Sequence, residues 1–142
     1  MSYLIKLLIV MMIQNNPIEA HKWEKRVLIV SASSHTNVGY KRQNQILEKD
    51  KKGTKERDLI IYRLYDDHWL DPKNESLSKK QSDAIYREYN IQRGTFSVLL
   101  IGKDGGIKMH KEDIISTKEI FKLIDSMPMR QQEMRKQKEK DY

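Results

Sequence analysis

The sequence predicts an α/β domain: a four-stranded mixed sheet with helices on both faces. Three observations predict it. Residues 27–30 (VLIV) and Ser97–Ile101 (SVLLI) are nearly unbroken apolar runs, the pattern of central strands covered on both sides. Segments with helical periodicity and capping residues separate the strands. Near the C-terminus a strand, a glycine-rich turn, a second strand and a capped helix follow one another with almost no slack.

The elements follow in order. Residues 27–30 form the first strand, flanked by Arg26 and Ser31, and 33–37 is a polar turn. Residues 38–51 are helical, with Tyr40, Ile46 and Leu47 on one face and Gly53 where the helix would end. Leu59–Tyr65 (LIIYRLY) is the second strand, and 66–74 reads as a loop with two adjacent acids and Pro72. Ser78 and Gln81 have the spacing of a capping box, and Ile85 and Tyr89 lie one turn apart on the inner face of the helix it opens. Ser97–Ile101 is the third strand. Lys103, Asp104, Gly105 and Gly106 form a tight turn, because Asp-Gly and Gly-Gly supply the backbone angles a hairpin needs. Residues 107–110 return as the fourth strand. Ser116 and Glu119 open the last helix, Ile120, Leu123, Ile124 and Met127 line its face, and Pro128 stops it. Parallel strands need crossover helices, and the closing hairpin is antiparallel. This is the thioredoxin arrangement. A flavodoxin-like fold is the alternative, and the Gly-Gly hairpin argues against it.

Residues 1–20 differ from the rest. Lys6 is followed by the short apolar run LLIVMMI and by a polar segment ending in Ala20, the three parts of a secretory signal peptide. The run is too short for a bilayer, which needs about 20 apolar residues. The expected organisation is a signal peptide at 1–20, a domain at 21–129 and a charged, solvated tail at 130–142. The expected location is secreted or periplasmic, with no transmembrane segment.

The strings WEKRVLIV, VLLIGKDGGIK and LIDSMPMRQQEM resemble a thioredoxin-like domain of unknown function. That domain is shared by bacterial secreted proteins and by vertebrate extracellular-matrix proteins of the sushi-repeat-containing and coiled-coil-domain-containing groups. The resemblance spans residues 23–135. It implies an extracytoplasmic setting, and in the matrix relatives a role in adhesion, and it brings no catalytic residues. The motif residues Gly102, Lys103, Asp104, Gly105, Gly106, Met127, Pro128 and Arg130 are read as structural.

The chain has no cysteine, so disulfide exchange, thiol peroxidase chemistry and thiolate metal sites are excluded. The place after the first strand where thioredoxins carry their CxxC holds Ser34, His35, Thr36 and Asn37, and Gly94-Thr95 stands where they carry a cis-proline. These four residues are the candidate ligand or anion site, at a helix N-terminus. As a hydrolase centre the turn lacks a G-x-S-x-G elbow, and a serine rarely finds its base in the adjacent residue. The acids and histidine at Asp66, Asp67, His68 and Asp71 match no known metal loop, and GKDGG lacks the spacing of a phosphate loop. No cofactor and no metal is expected.

The formal charge is +7. Its lysines and arginines are scattered and interleaved with acids, without any nucleic-acid-binding signature, so nucleic acid is disfavoured. An anionic polymer or another secreted protein is the partner class this charge allows. Three functional readings follow. The first is a non-redox binding or structural module. The second is an enzyme of unknown reaction at 33–37, extended by Lys103 or Arg130. The third is an electrostatic adhesion module for anionic glycans or surfaces.

Overall fold

Strand β1 (Arg26–Ala32) is buried along its whole length. Its apolar side chains alternate between the two faces of a sheet, as the two-residue period of a strand requires. The structure, a computed structural model, describes residues 2–142, with the backbone alone for 9–14. The chain runs through helix α1 (Tyr3–Asn15), a short 3-10 turn (Pro17–His21), β1, α2 (Val38–Lys49), α3 (Lys51–Glu56), β2 (Leu59–Tyr65), β3 (His68–Leu70), α4 (Lys79–Glu88), β4 (Ser97–Ile101), β5 (Ile107–Lys111), α5 (Thr117–Asp125) and α6 (Pro128–Lys140).

The sheet has five strands in the order β3-β2-β1-β4-β5. β1 pairs parallel with β2 and antiparallel with β4. On one face Val27, Ile29, Leu99 and Ile101 meet Ile85, Tyr86 and Tyr89 around α4, together with Ile18 from the 3-10 turn. On the other face Leu28, Val30, Val98 and Leu100 meet Tyr40 and Leu47 of α2 and Ile120 and Ile124 of α5. The mixed sheet with helices on both faces is as the sequence predicts.

Four details differ. The expected loop at 66–74 contains β3, so the sheet gains a fifth strand. β3 pairs antiparallel with β2, Tyr65 opposite His68, and the adjacent acids Asp66 and Asp67 make the turn between them. Gly53 does not end a helix. It lies inside α3, where a Cβ would come within 2.5 Å of the Phe121 ring, so the glycine is there to let α5 pack close.

The third difference is at the N-terminus. The Asn-Asn-Pro sequence ends α1 but starts the 3-10 turn. Asn16 caps that turn by accepting the Ile18 N–H, and its Nδ2 donates to the Tyr89 hydroxyl at 3.1 Å and to Glu88. Asn16 and Ile18 are 2% and 3% exposed. The domain therefore begins to pack five residues before the expected start at His21. Of the expected export signal, Met1 and the side chains of 9–14 lie outside the described residues. Tyr3, Leu4, Leu7 and Leu8 of α1 are exposed. No helix among the described residues is long and apolar enough to cross a membrane.

The fourth difference is at the C-terminus. Pro128 stops α5 and occupies the first turn of α6, where its missing N–H costs nothing. Arg130, placed by the sequence at the head of a solvated tail, is 6% exposed. Gln131 and Gln132 are exposed, Glu133 and Met134 half-buried, and α6 is exposed throughout from Arg135.

Candidate functional site

The turn at 33–37 lies where β1 leaves the sheet and α2 begins. Asn37 caps α2: its Oδ1 accepts the Tyr40 N–H at 3.0 Å. Ser34 Oγ and Thr36 Oγ1 bond each other at 2.8 Å, and the Asn37 N–H closes the turn on the Ser34 carbonyl. The His35 ring goes to Tyr65, 5.7 Å between centroids. Tyr65 in turn stacks on His68 at 5.4 Å and takes the edge of Tyr40. Burial raises the Tyr40 hydroxyl above its ordinary value.

The structure thus joins Ser34 to Thr36, gives Asn37 to its own helix and sends His35 to an aromatic stack. A serine nucleophile needs a base at its hydroxyl, and the recorded partner of Ser34 is another hydroxyl. Neither Lys103 nor Arg130, the extensions the enzyme reading offered, lies at this turn. Ile101 pairs with Val27 at the opposite end of β1, so Lys103 stands beside Arg26. At about 3.3 Å per residue, the seven residues of β1 put roughly 20 Å between the two places.

Among the described residues, no three histidine, aspartate or glutamate side chains are placed to hold a metal ion. Asp71 accepts the N–H groups of Lys73 and Glu75 within its own loop, and Asp66 accepts the N–H of the distant Gly94, so both carboxylates are engaged by backbone.

At the far end of the sheet the motif residues converge. Lys103 Nζ donates to Glu133 at 2.6 Å and to Asp58 at 2.9 Å. Arg26, 1% exposed, gives both of its Nη groups to Glu133, and its Nη1 also to the Arg57 carbonyl at 2.8 Å. Arg57 holds Asp125 in a two-pronged pair at 2.9 and 3.0 Å, and Arg130 Nε donates to the same carboxylate at 3.1 Å. Burial alone would push Glu133 and Asp125 up. The bonds and charges of their cations outweigh it and hold both carboxyls below their ordinary values. Asp58 is held low in the same way by Lys103 and Lys25.

The motif turn is a hairpin connector as expected. Gly105 has φ +83°, the left-handed region that favours glycine, and Asp104 accepts the Gly106 N–H. Beside it lies a cleft of about 590 Å³, lined by Trp23, Arg26, Gly102, Lys103, Met127 and Met129 among others. Sequence reading missed Trp23, Arg26, Arg57, Asp58, Asp125 and Glu133 as parts of this end. A charged residue immediately before an apolar central strand, and the three-residue spacing of Arg130 and Glu133 along a helix, are the signals that mark it.

This sheet order, with helices on both faces, defines a thioredoxin-like fold. Solved structures agree: the chain superposes on "PY00414- Plasmodium yoelii thioredoxin peroxidase I" with a TM-score of 0.61 and 19% identity, covering 81% of this chain and 79% of that one. It superposes on the reduced 2-Cys peroxiredoxin of Plasmodium vivax with a TM-score of 0.59 and 14% identity, covering 81% and 84%. At these identities the likeness is one of fold. The chain belongs to the family described as "Domain of unknown function (DUF4174)", which matches residues 17–133. It is 28% identical over 135 residues to "Coiled-coil domain-containing protein 80" of Danio rerio, covering 84% of this chain and 16% of that protein. The chain thus spans about a sixth of that relative's length.

Proposed function

We propose that the protein is a secreted or periplasmic binding module that uses the thioredoxin-like fold without thiol chemistry. The observation that carries this reading is the state of the turn at 33–37. In a chain without cysteine, that turn is closed by its own groups: Ser34 on Thr36 and Asn37 on Tyr40. The corner used for thiol chemistry on this fold is here a helix cap, and binding falls to another surface.

Export by residues 1–20 is part of the reading, supported by their three-part pattern. Cleavage after Ala20 would remove Asn16 and Ile18, both buried, from the folded domain. Their packing favours a mature start upstream of Asn16 over one at His21.

The test is fractionation and N-terminal sequencing of the protein from its native host, with insulin reduction and peroxide consumption assayed on the purified chain. The expected result is recovery outside the cytoplasm and rates equal to the protein-free blank. Intact chain confined to the cytosol would overturn the location. Turnover removed by Ser34→Ala would overturn the thiol-independent binding role in favour of an enzyme.

A further inference from the structure

Along the chain, basic residues are interleaved with acids, but the fold does not spread them evenly. Helices α2 and α3 carry six lysines and arginines against two acids. Helix α4, on the opposite face of the sheet from α2, carries three against two. Of the six, Lys51 is paired with Glu48. Lys41, Arg42 and Lys49 of α2 and Lys52 and Lys55 of α3 are exposed and make no salt bridge among the described residues.

An open groove of about 590 Å³ borders this surface. Asn44, Gln45, Glu48 and Lys49 of α2 line it, with Arg63 of β2 and Asn74 of the loop after β3. Arg63 leaves β2 on the same side as Ile61 and Tyr65, toward the layer of α2. Its Nε donates to Asn44 Oδ1 at 2.9 Å, and its Nη1 reaches Asn74 Oδ1 at 3.5 Å.

The chain has four buried or half-buried arginines. Arg26, Arg57 and Arg130 each have a carboxylate within salt-bridge distance. Arg63 has none among the described residues, and only neutral amides hold it. Its charge is therefore uncompensated and its Nη2 unengaged. A guanidinium fixed in this way suits a carboxylate or sulfate, which it holds by two parallel bonds. Glu48, the acid of the lining, is turned to Lys51.

The opposite wall of the groove is held by its own loop. Asp71 accepts the N–H groups of Lys73 and Glu75, and its carbonyl takes the Asn74 N–H. Asn74 stands at φ +61°, a conformation asparagine adopts more readily than most residues. Its Nδ2 and the Gln45 amide have no partner among the described residues. These groups donate to and accept from hydroxyls. Lys41, Gln45 and Lys49 form one row of α2, with steps of about 6 Å.

Three features choose the occupant. The lone guanidinium asks for an anion, the free amides ask for hydroxyls, and the row of cations asks for charge repeated along a chain. A lipid surface takes inserted apolar groups and a nucleic acid takes aromatic rings for its bases. Neither kind of side chain lines the groove.

We propose that this groove and the cationic row beside it bind an acidic polysaccharide. One carboxylate or sulfate sits on Arg63, sugar hydroxyls sit on Gln45 and Asn74, and neighbouring charges sit on Lys41 and Lys49. The proposal rests on the reading of the chain as a binding module and names its partner.

The experiment titrates the full chain by calorimetry, at a salt concentration of about 0.15 M. The probes are polygalacturonate, dextran sulfate and, as the uncharged control, dextran. Vesicles of phosphatidylserine and phosphatidylcholine are run in parallel. At least one polyanion should bind, with dextran at least tenfold weaker, and the two polyanions tell a carboxylate from a sulfate source. Arg63→Gln with Lys49→Gln should weaken binding at least tenfold in a chain that stays folded by circular dichroism. Lys80→Gln with Arg87→Gln removes equal charge from α4 and should change it less than twofold. Gln45→Ala with Asn74→Gly leaves the net charge alone and suits the backbone angle at 74; it should weaken binding at least threefold. If the Arg63 variant does not fold, that uncharged pair decides. Four results would each overturn the groove: no polyanion bound by the folded chain, dextran bound equally, equal losses from the two charge pairs, or vesicles held as tightly as the polysaccharide. Those failures leave the binding-module reading standing, which falls instead to the turnover described above.

Discussion

The two ends of β1 contrast in what closes them. At the end toward α2, the turn at 33–37 is held mostly by local bonds: Ser34, Thr36 and Asn37 bond residues two or three apart, the bond from the Asp66 N–H to the Ser33 carbonyl reaches across from the next turn, and His35 and Thr36 face solvent. At the other end, Arg26 reaches a residue 107 positions away, and Lys103 bridges residues from the start of β2 and from α6. The corner toward α2 is built from a helix cap and a hydroxyl pair. The opposite end ties β1, β2, β4, α5 and α6 together through Arg26, Asp58, Lys103, Asp125 and Glu133. The two ends differ in how they are held, and the difference is measurable one substitution at a time.

The sharpest break is Glu133→Ala. Glu133 is the shared acceptor of Arg26 and Lys103, whose side chains are 1% and 8% exposed. Removing it leaves the buried Arg26 without a carboxylate and Lys103 with Asp58 alone, and is expected to cost about 3 kcal/mol, read as a fall in melting temperature of roughly 10 °C for a domain of this size. Acid tests the same network without mutation. Glu133 and Asp125 titrate below their ordinary values of 4.5 and 3.8 in the folded state. The stability they contribute is therefore complete above those values and is lost as pH falls through the lowered ones. Glu133→Gln should flatten the acid limb of a stability–pH curve. An unchanged limb would mean that the network contributes nothing.

The contrast also explains what the sequence made legible. The central strands stand out because β1 and β4 are apolar runs, and Asn37, Ser78 and the Gly105 turn are visible because caps and turns are local chemistry. β3 is three residues with no apolar run, and only its pairing with β2 makes it a strand. Gly53 looks like a helix end until Phe121 is seen against it. Arg26 and Glu133 read as a strand flank and part of a charged tail, because nothing in a one-dimensional pattern joins residues 107 apart. The local end of the molecule could be read, and the end built from long-range pairs could not.

Ile18→Ala comes next. Ile18 seals the core near Val27 and Ile101, at the charged end of the sheet. Truncating a buried isoleucine costs about 2 kcal/mol or more. A chain starting at His21 should lose at least as much relative to one starting at Asn16. Equal denaturant midpoints for the two would show that the 3-10 turn is dispensable, and would restore the later domain start.

Gly105→Val is smaller. At φ +83° any side chain is strained, and a Cβ would also lie 3.4 Å from Lys22. The expected loss is about 1 kcal/mol, with the Trp23 carriage disturbed because Lys22 and Trp23 are adjacent. A variant as stable as the wild chain would show that the turn relaxes at no cost.

The smallest effect belongs to the corner. Ser34→Ala removes a hydroxyl whose partner, Thr36, lies on an exposed turn and is free to bond water instead. Neither group is buried, so no unsatisfied atom is left behind, and the change should stay within about 0.5 kcal/mol. Asn37→Ala, by comparison, takes the cap from α2 and should cost about 1 kcal/mol, although it lies only three residues away. That pair of values separates a helix cap from a site. If Ser34 were held for binding or catalysis, its loss would leave stability alone and abolish a measured activity or ligand. If the turn is only the start of α2, the ranking follows helix capping alone, with Asn37 ahead of Ser34, and no assay on the purified chain responds to either.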